Sequence, residues 1–159
     1  MPYRSITIIE DEIITALTAA LTGDGTAQVK TLKTYGGELS GDDVNALARH
    51  LPAVFVIYNG SRYEDHGSTR REFIRYVLFV ADKSLRSEAE ARRGLDLNPG
   101  TYKILNDCRD ALYGKDFALD IDPFRLVSEQ NIYTDNVLSV YSQEWETAQT
   151  HYYSFQEEA

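Results

Sequence analysis

Hydrophobic positions alternate along this chain between helical spacing and the period of two that marks strands. Ile9, Ile13, Ala16, Leu17, Ala20 and Leu21 form one helical stripe, which predicts a helix over 6–22. Glu10, Asp11 and Glu12 fall in its first turns, where carboxylates suit the positive helix end, and Gly23 stops it. A solvated helix start accounts for that acidic run better than a metal site. From Gln28 to Tyr35 the alternation is weak, with Thr31 and Tyr35 favouring extended chain and predicting an edge strand over 28–35. Lys30 and Lys33 on such an edge discourage stray pairing. Tyr35-Gly36-Gly37 marks a turn. Ser40 then caps a helix over 41–50 whose inner stripe is Val44, Leu47, Ala48 and Leu51, and Pro52 ends it.

Ala53 to Tyr58 and Phe73 to Ala81 are rich in β-branched and aromatic residues and predict antiparallel strands over 53–60 and 71–82. Both contain consecutive apolar residues, Val54 to Ile57 and Tyr76 to Val80, so their sheet needs cover on both faces. Between them, Asn59 to Arg71 reads as a polar loop with Gly60 and Gly67. It is too long for a two-residue turn and reads as a projecting arm.

Ser87 caps a short surface helix that ends at Gly94. A longer helix follows over 101–113, with Tyr102, Leu105, Cys108 or Arg109, and Leu112 as its buried face and Gly114 as its cap. Cys108 on that stripe reads as a packing residue rather than a reactive thiol. Lys115 to Asp122 is a connection with some extended character. Strands are predicted over 124–132 and 137–146, joined by a turn at Tyr133 to Asn136. In the second, Leu138 and Val140 face one way, and Val137, Tyr141 and Trp145 the other. Residues 147–159 read as a polar and aromatic tail, frayed or docked on a neighbouring subunit. The expected fold is α/β of the α+β type. An antiparallel or mixed sheet of four to five strands packs with three main helices in a single domain over 1–146.

A formal charge of −9 with no basic block argues against duplex binding, which needs clustered Lys and Arg. Arg70-Arg71 and Arg92-Arg93 both adjoin acids. Cys108 is the only cysteine, so an internal disulfide is excluded and a reducing compartment is expected. No apolar run is long enough to span a membrane and no signal peptide is visible, which points to the cytoplasm. His50, His66 and His151 are not spaced as helical metal ligands. His66 has Glu64 and Asp65 beside it, which a solvated acidic loop explains better than a metal site. No nucleophile elbow, phosphate-binding loop or Cys–His pair appears, so no catalytic residue and no cofactor are expected. Eleven tyrosines, with arginines, lean toward protein–protein contact, although many tyrosines are ordinary strand residues.

Several local patterns carry a resemblance: Leu51-Pro52-Ala53-Val54 followed by Tyr58 and Gly60; Arg71 to Val80 running into Ala81-Asp82; Arg86; Gly100 to Gly114; Asp122-Pro123-Phe124; and Val137 to Tyr141. Together they resemble the tail-terminator family of phage Mu and its relatives, found also in prophages and phage-tail-like bacteriocins. Thr101 stands where that family often has alanine. The resemblance spans about Ile6 to Trp145. It implies a virion component, not an enzyme, with an antiparallel sheet backed by helices. It implies a hexameric ring on the tail tube that stops tube growth and presents a surface to the neck or head, and to the sheath in contractile tails. DNA passes through such a ring without specific binding, which suits an acidic protein. The arm residues Arg62, Tyr63, Glu64, Asp65, Arg70 and Arg71 are the candidate contacts to the next subunit or the tube. Three other readings compete: a head–tail connector of the same particle, a small cytoplasmic enzyme without a recognisable motif, and a ligand-binding module.

Overall fold

The computed structural model describes residues 4–22, 29–37, 49–83, 100–134 and 138–152. The elements are α1 (Ile6–Thr22), β1 (Thr31–Thr34), β2 (Ala53–His66), β3 (Thr69–Lys83), α2 (Gly100–Leu112), β4 (Arg125–Thr134) and β5 (Leu138–Tyr152). The expected helix over 41–50 lies outside the described residues except for Arg49 and His50, which form a turn. The short helix after Ser87, Val137 and residues 153–159 also lie outside them. Two helices, not three, are therefore seen among the described residues.

The five strands form one mixed sheet in the order β1-β2-β3-β5-β4. β1 runs parallel to β2, and every other neighbouring pair is antiparallel. Side chains alternate between the two faces. Val54, Val56, Ile74, Tyr76, Leu78, Val80 and Trp145 point to the face covered by α1 and α2. Ile9, Ile13, Leu17 and Leu21 of α1 have no exposed surface, and burial contributes about 1.5–3 kcal/mol for each. Ala53, Phe55, Ala81, Leu138 and Val140 build a second buried cluster on the opposite face, with Tyr35 and Phe79 packed against it. The run of consecutive apolar residues thus does fill both faces, and Leu138 and Val140 do face away from Trp145.

Several features differ from the sequence reading, among them the start of the expected turn at Tyr133 to Asn136, since β4 runs on through Tyr133 and Thr134. First, the arm from Asn59 to Arg71 is not a loop. β2 continues to His66, β3 begins at Thr69, and Gly67-Ser68 is a two-residue turn. Opposite charges stand in register across the hairpin, Glu64 against Arg71 and Asp65 against Arg70, the latter an ion pair at 3.2 Å, and cross-strand pairs of this kind support strands even where both faces are polar. Gly67 has φ of 64° and supplies the left-handed backbone the turn needs. The register shifts between Tyr58 and Gly60, a bulge that the hairpin carries at its mid-length. Second, β5 runs on to Tyr152, which pairs with Thr69, so residues 147–152 belong to the sheet rather than to a tail. Thr147, Ala148 and Gln149 are buried there.

Third, the buried face of α2 is Thr101, Ile104, Leu105, Cys108 and Leu112, and it excludes Tyr102. Tyr102 lies about 100° around the helix from Thr101. It is 43% exposed, with its ring edge against Tyr141 at 6.1 Å. Arg109, offered as an alternative to Cys108, is exposed and pairs with Glu129. The stretch after α2 is a series of turns and bends rather than extended chain, with Phe117, Ala118 and Asp120 at positive φ.

Candidate functional site

The β2–β3 hairpin carries all six residues singled out from the sequence, and its pleat divides them three and three. Tyr63, Asp65 and Arg70 lie on the face shared with the helices; Arg62, Glu64 and Arg71 lie on the other. On the helix side, the Arg70 guanidinium sits 4.5 Å from the Tyr63 ring centroid and 3.2 Å from Asp65. On the other side, Arg62 pairs with Glu64 and lies 4.2 Å over the Phe73 ring. The Arg62 hydrogen bond holds the Glu64 carboxyl below its ordinary range. Arg71 turns inward to Asp122 and donates to Thr150 Oγ1 at 2.8 Å. Arg71 therefore ties the hairpin to the loop before β4, while Arg70 stays nearer solvent.

Beside this hairpin, at the start of α1, is a cleft of about 550 Å³ lined by Arg4, Ser5, Ile6, Tyr63, Arg70, Glu72 and His151. Glu72 is its buried centre, 4% exposed. One carboxylate oxygen accepts from Ser61 Oγ at 2.7 Å and Tyr63 Oη at 3.1 Å. The other accepts from Gln149 Nε2 at 3.0 Å and lies 2.8 Å from His151 Nε2. Burial pushes the Glu72 pKa up, but the hydrogen bonds from Ser61, His151, Gln149 and Tyr63 outweigh it and hold the carboxyl below its usual value. Burial and the nearby Glu72 carboxylate push the Tyr63 phenol up. Gln149 closes the network by bonding both the N–H and the C=O of Arg4, at 2.8 and 3.0 Å.

The chemistry of this cluster is that of a clasp. Ser61 and His151 bond different oxygens of Glu72, so the hydroxyl hands its proton toward a carboxylate and not toward the imidazole. Across the sheet, Glu146 is a second buried acid, bridging Arg75 at 2.9 Å and Arg125. Burial raises its pKa, and the two guanidiniums more than reverse that. No group of three or more His, Cys, Asp or Glu among the described residues is placed to hold a metal ion. No helix among them is long and apolar enough to cross a membrane.

Glu72, Gln149 and His151 were not singled out as site residues from the sequence, because 147–159 read as a tail and Glu72 fell at the start of the strand expected over 71–82. The available signal was the alternation of Gln149 and His151 in phase with Trp145, which continues β5. Cys108 is as the sequence suggests: fully buried, with burial pushing its thiol pKa up. Native protein should accordingly fail to react with a thiol-specific chromophore at neutral pH, and one equivalent should appear on adding denaturant. Rapid labelling of the native state would place Cys108 outside the core.

The buried acids of this fold, Glu72 and Glu146, are held by internal donors, and the family match points to a phage structural protein. Residues 5–150 match the model of the family described as Bacteriophage Mu, Gp37, and the chain belongs to that family. No curated protein matches it.

Proposed function

We propose that this protein is the tail terminator of a Mu-like phage tail or related particle, forming a ring that caps the tail tube, stops its growth and offers a seat for neck or head proteins. Membership of the Mu Gp37 family carries this reading. The β2–β3 hairpin supports it, because both its faces carry charges of both signs at the tip and a head-to-tail ring needs two complementary patches on one chain. Arg62, Tyr63, Glu64, Asp65, Arg70 and Arg71 belong to the contact surface, and of the adjacent arginines Arg70 is the more accessible test of it. Its side chain is 46% exposed, against 29% for Arg71.

The test is electron microscopy of tails assembled with and without the protein. Tails of uniform length are expected with it, and overgrown tubes without it. Arg70→Glu should fold, shift length control toward overgrowth, and leave the melting temperature within a few degrees of the wild type. Uniform tail length in the absence of the protein would refute the terminator role.

A further inference from the structure

The cleft beside the hairpin has a charge balance opposite to that of the chain. The protein carries 25 Asp and Glu against 16 Lys and Arg. The cleft is lined by Arg4, Arg70 and His151 against one acid, Glu72. That acid is already spent, since Ser61, Tyr63, Gln149 and His151 occupy both of its oxygens. Arg4 is not. Its backbone N–H and C=O are bonded to Gln149, and its Nε donates to the Leu119 carbonyl at 3.0 Å. Those bonds fix the residue and leave Nη1 and Nη2 without a hydrogen bond among the described residues. Arg62, Arg70, Arg71, Arg75, Arg109 and Arg125 each have a carboxylate within ion-pair distance. Arg4, half-buried at the cleft wall, has none among the described residues. A cation drawn partly out of water calls for a counter-charge.

We infer that this cleft accepts a carboxylate from a second copy of the chain, an Asp or Glu side chain that seats against Arg4. The unspent guanidinium nitrogens are donors, so the complementary group is an acceptor, and two terminal nitrogens on one planar fork match the two oxygens of a carboxylate. The cleft walls also include Ile6 and Tyr63, both exposed, which suit the apolar stem of such a side chain. A polyanion fits less well, because the buried Glu72 charge lies at the floor and the chain as a whole is at −9.

The occupant is a second copy on grounds of charge and position. Copies at −9 repel one another, so a contact between them holds where an acid of one meets a cation that the other has not neutralised itself. Arg4 is such a cation. Tyr63 and Arg70, which belong to the contact surface, form part of the same cleft, so the site continues that surface. The Glu72 clasp then has a positioning role: it bonds the Tyr63 hydroxyl, and the Tyr63 ring lies against the Arg70 guanidinium. Arg4 itself is held by Gln149, another member of the clasp, so little ordering remains to be done on binding. This site rests on the ring reading above, and it gives the contact between copies a specific recess.

Sedimentation velocity over a concentration series tests it with the protein alone. Arg4→Gln keeps a side-chain donor but removes the charge, and should weaken self-association about tenfold or more, with Arg4→Lys retaining much of the wild-type strength. Lys103→Gln removes the same charge from the exposed side of α2 and should change self-association by about twofold at most. A second measurement needs no variant. In dilute wild-type protein, N-acetylglutamate methylamide at millimolar concentration should shift the Arg4 Nε–H and Tyr63 ring resonances. The glutamine analogue and inorganic phosphate should not. Assembly of Arg4→Gln at wild-type strength, or an equal loss in Lys103→Gln, overturns the carboxylate site and leaves the ring intact. Absence of the glutamate shifts, or equal shifts from the glutamine analogue or phosphate, overturns it as well. A wild type that stays monomeric at high concentration overturns both the second copy as donor and a self-formed ring.

Discussion

Leu112→Asp is expected to leave no cooperatively folded protein. Leu112 closes the buried stripe of α2 with no exposed surface, inside the cluster that also holds Leu105, Cys108 and Trp145. Truncating such a leucine costs about 2–5 kcal/mol from lost transfer energy and the cavity left behind. An aspartate adds the cost of a polar or charged group with no partner in an apolar site, about 2 kcal/mol or more even after it takes up a proton. Net stability of a single domain is about 5–15 kcal/mol, so the two costs together approach the whole. Leu105→Asp should behave alike. Tyr102→Asp is the informative contrast: at 43% exposed, it should cost about 1 kcal/mol or less. Far-UV circular dichroism with thermal melting decides both. A near-normal melt for Leu112→Asp, or unfolding by Tyr102→Asp, would mean that α2 presents a different face to the sheet.

What the sequence reveals depends on how strongly each stretch is patterned. α1 has four aliphatics at spacings of four, Ile9, Ile13, Leu17 and Leu21, and one physical solution satisfies them: a helix with that face buried. The central strands are equally legible, because Val54 to Ile57 needs a sheet covered twice. The hairpin tip is not. Its side chains are polar on both faces, and polarity is what loops and solvated strands have in common. Only the cross-strand partners, Glu64 with Arg71 and Asp65 with Arg70, distinguish the two, and pairing is a property of two segments rather than one. Residues 147–152 are hidden for the same reason. Thr147 and Gln149 look solvent-facing, yet they are buried because their polar atoms reach the Asp122 carbonyl, Glu72 and Arg4. The parallel pairing of β1 with β2 is likewise invisible locally, since four residues carry no directional signal. The candidate contact residues were legible as a cluster. Their division between two faces, which separates Arg70 from Arg71 in role, needed the pleat.

Removing the Glu72 carboxylate should cost stability in a way that depends on pH. In Glu72→Gln one accepting oxygen becomes an amide donor. The amide suits the Ser61 and Tyr63 side best, because hydroxyls can turn and accept, while the remaining oxygen keeps Gln149 and His151. Charge-assisted bonds still become neutral ones, and one hydroxyl must give up its acceptor, for a cost of about 1–3 kcal/mol at neutral pH. The folded-state pKa of Glu72 is below its ordinary value, so the unfolded chain takes up the proton first as pH falls. The stabilisation is therefore fully present above the unfolded glutamate value of about 4.3, and is lost as pH drops through the folded-state value. Glu146 has a lowered pKa of the same sign, but it is present in both proteins and cancels from their difference. Urea unfolding of the wild type and Glu72→Gln across pH 3 to 7 should show the widest gap near neutrality, narrowing below about pH 4 as the two curves converge. A gap that stays constant through that range would mean that Glu72 titrates alike in the folded and unfolded chains, and that its four partners hold it without favouring its charge.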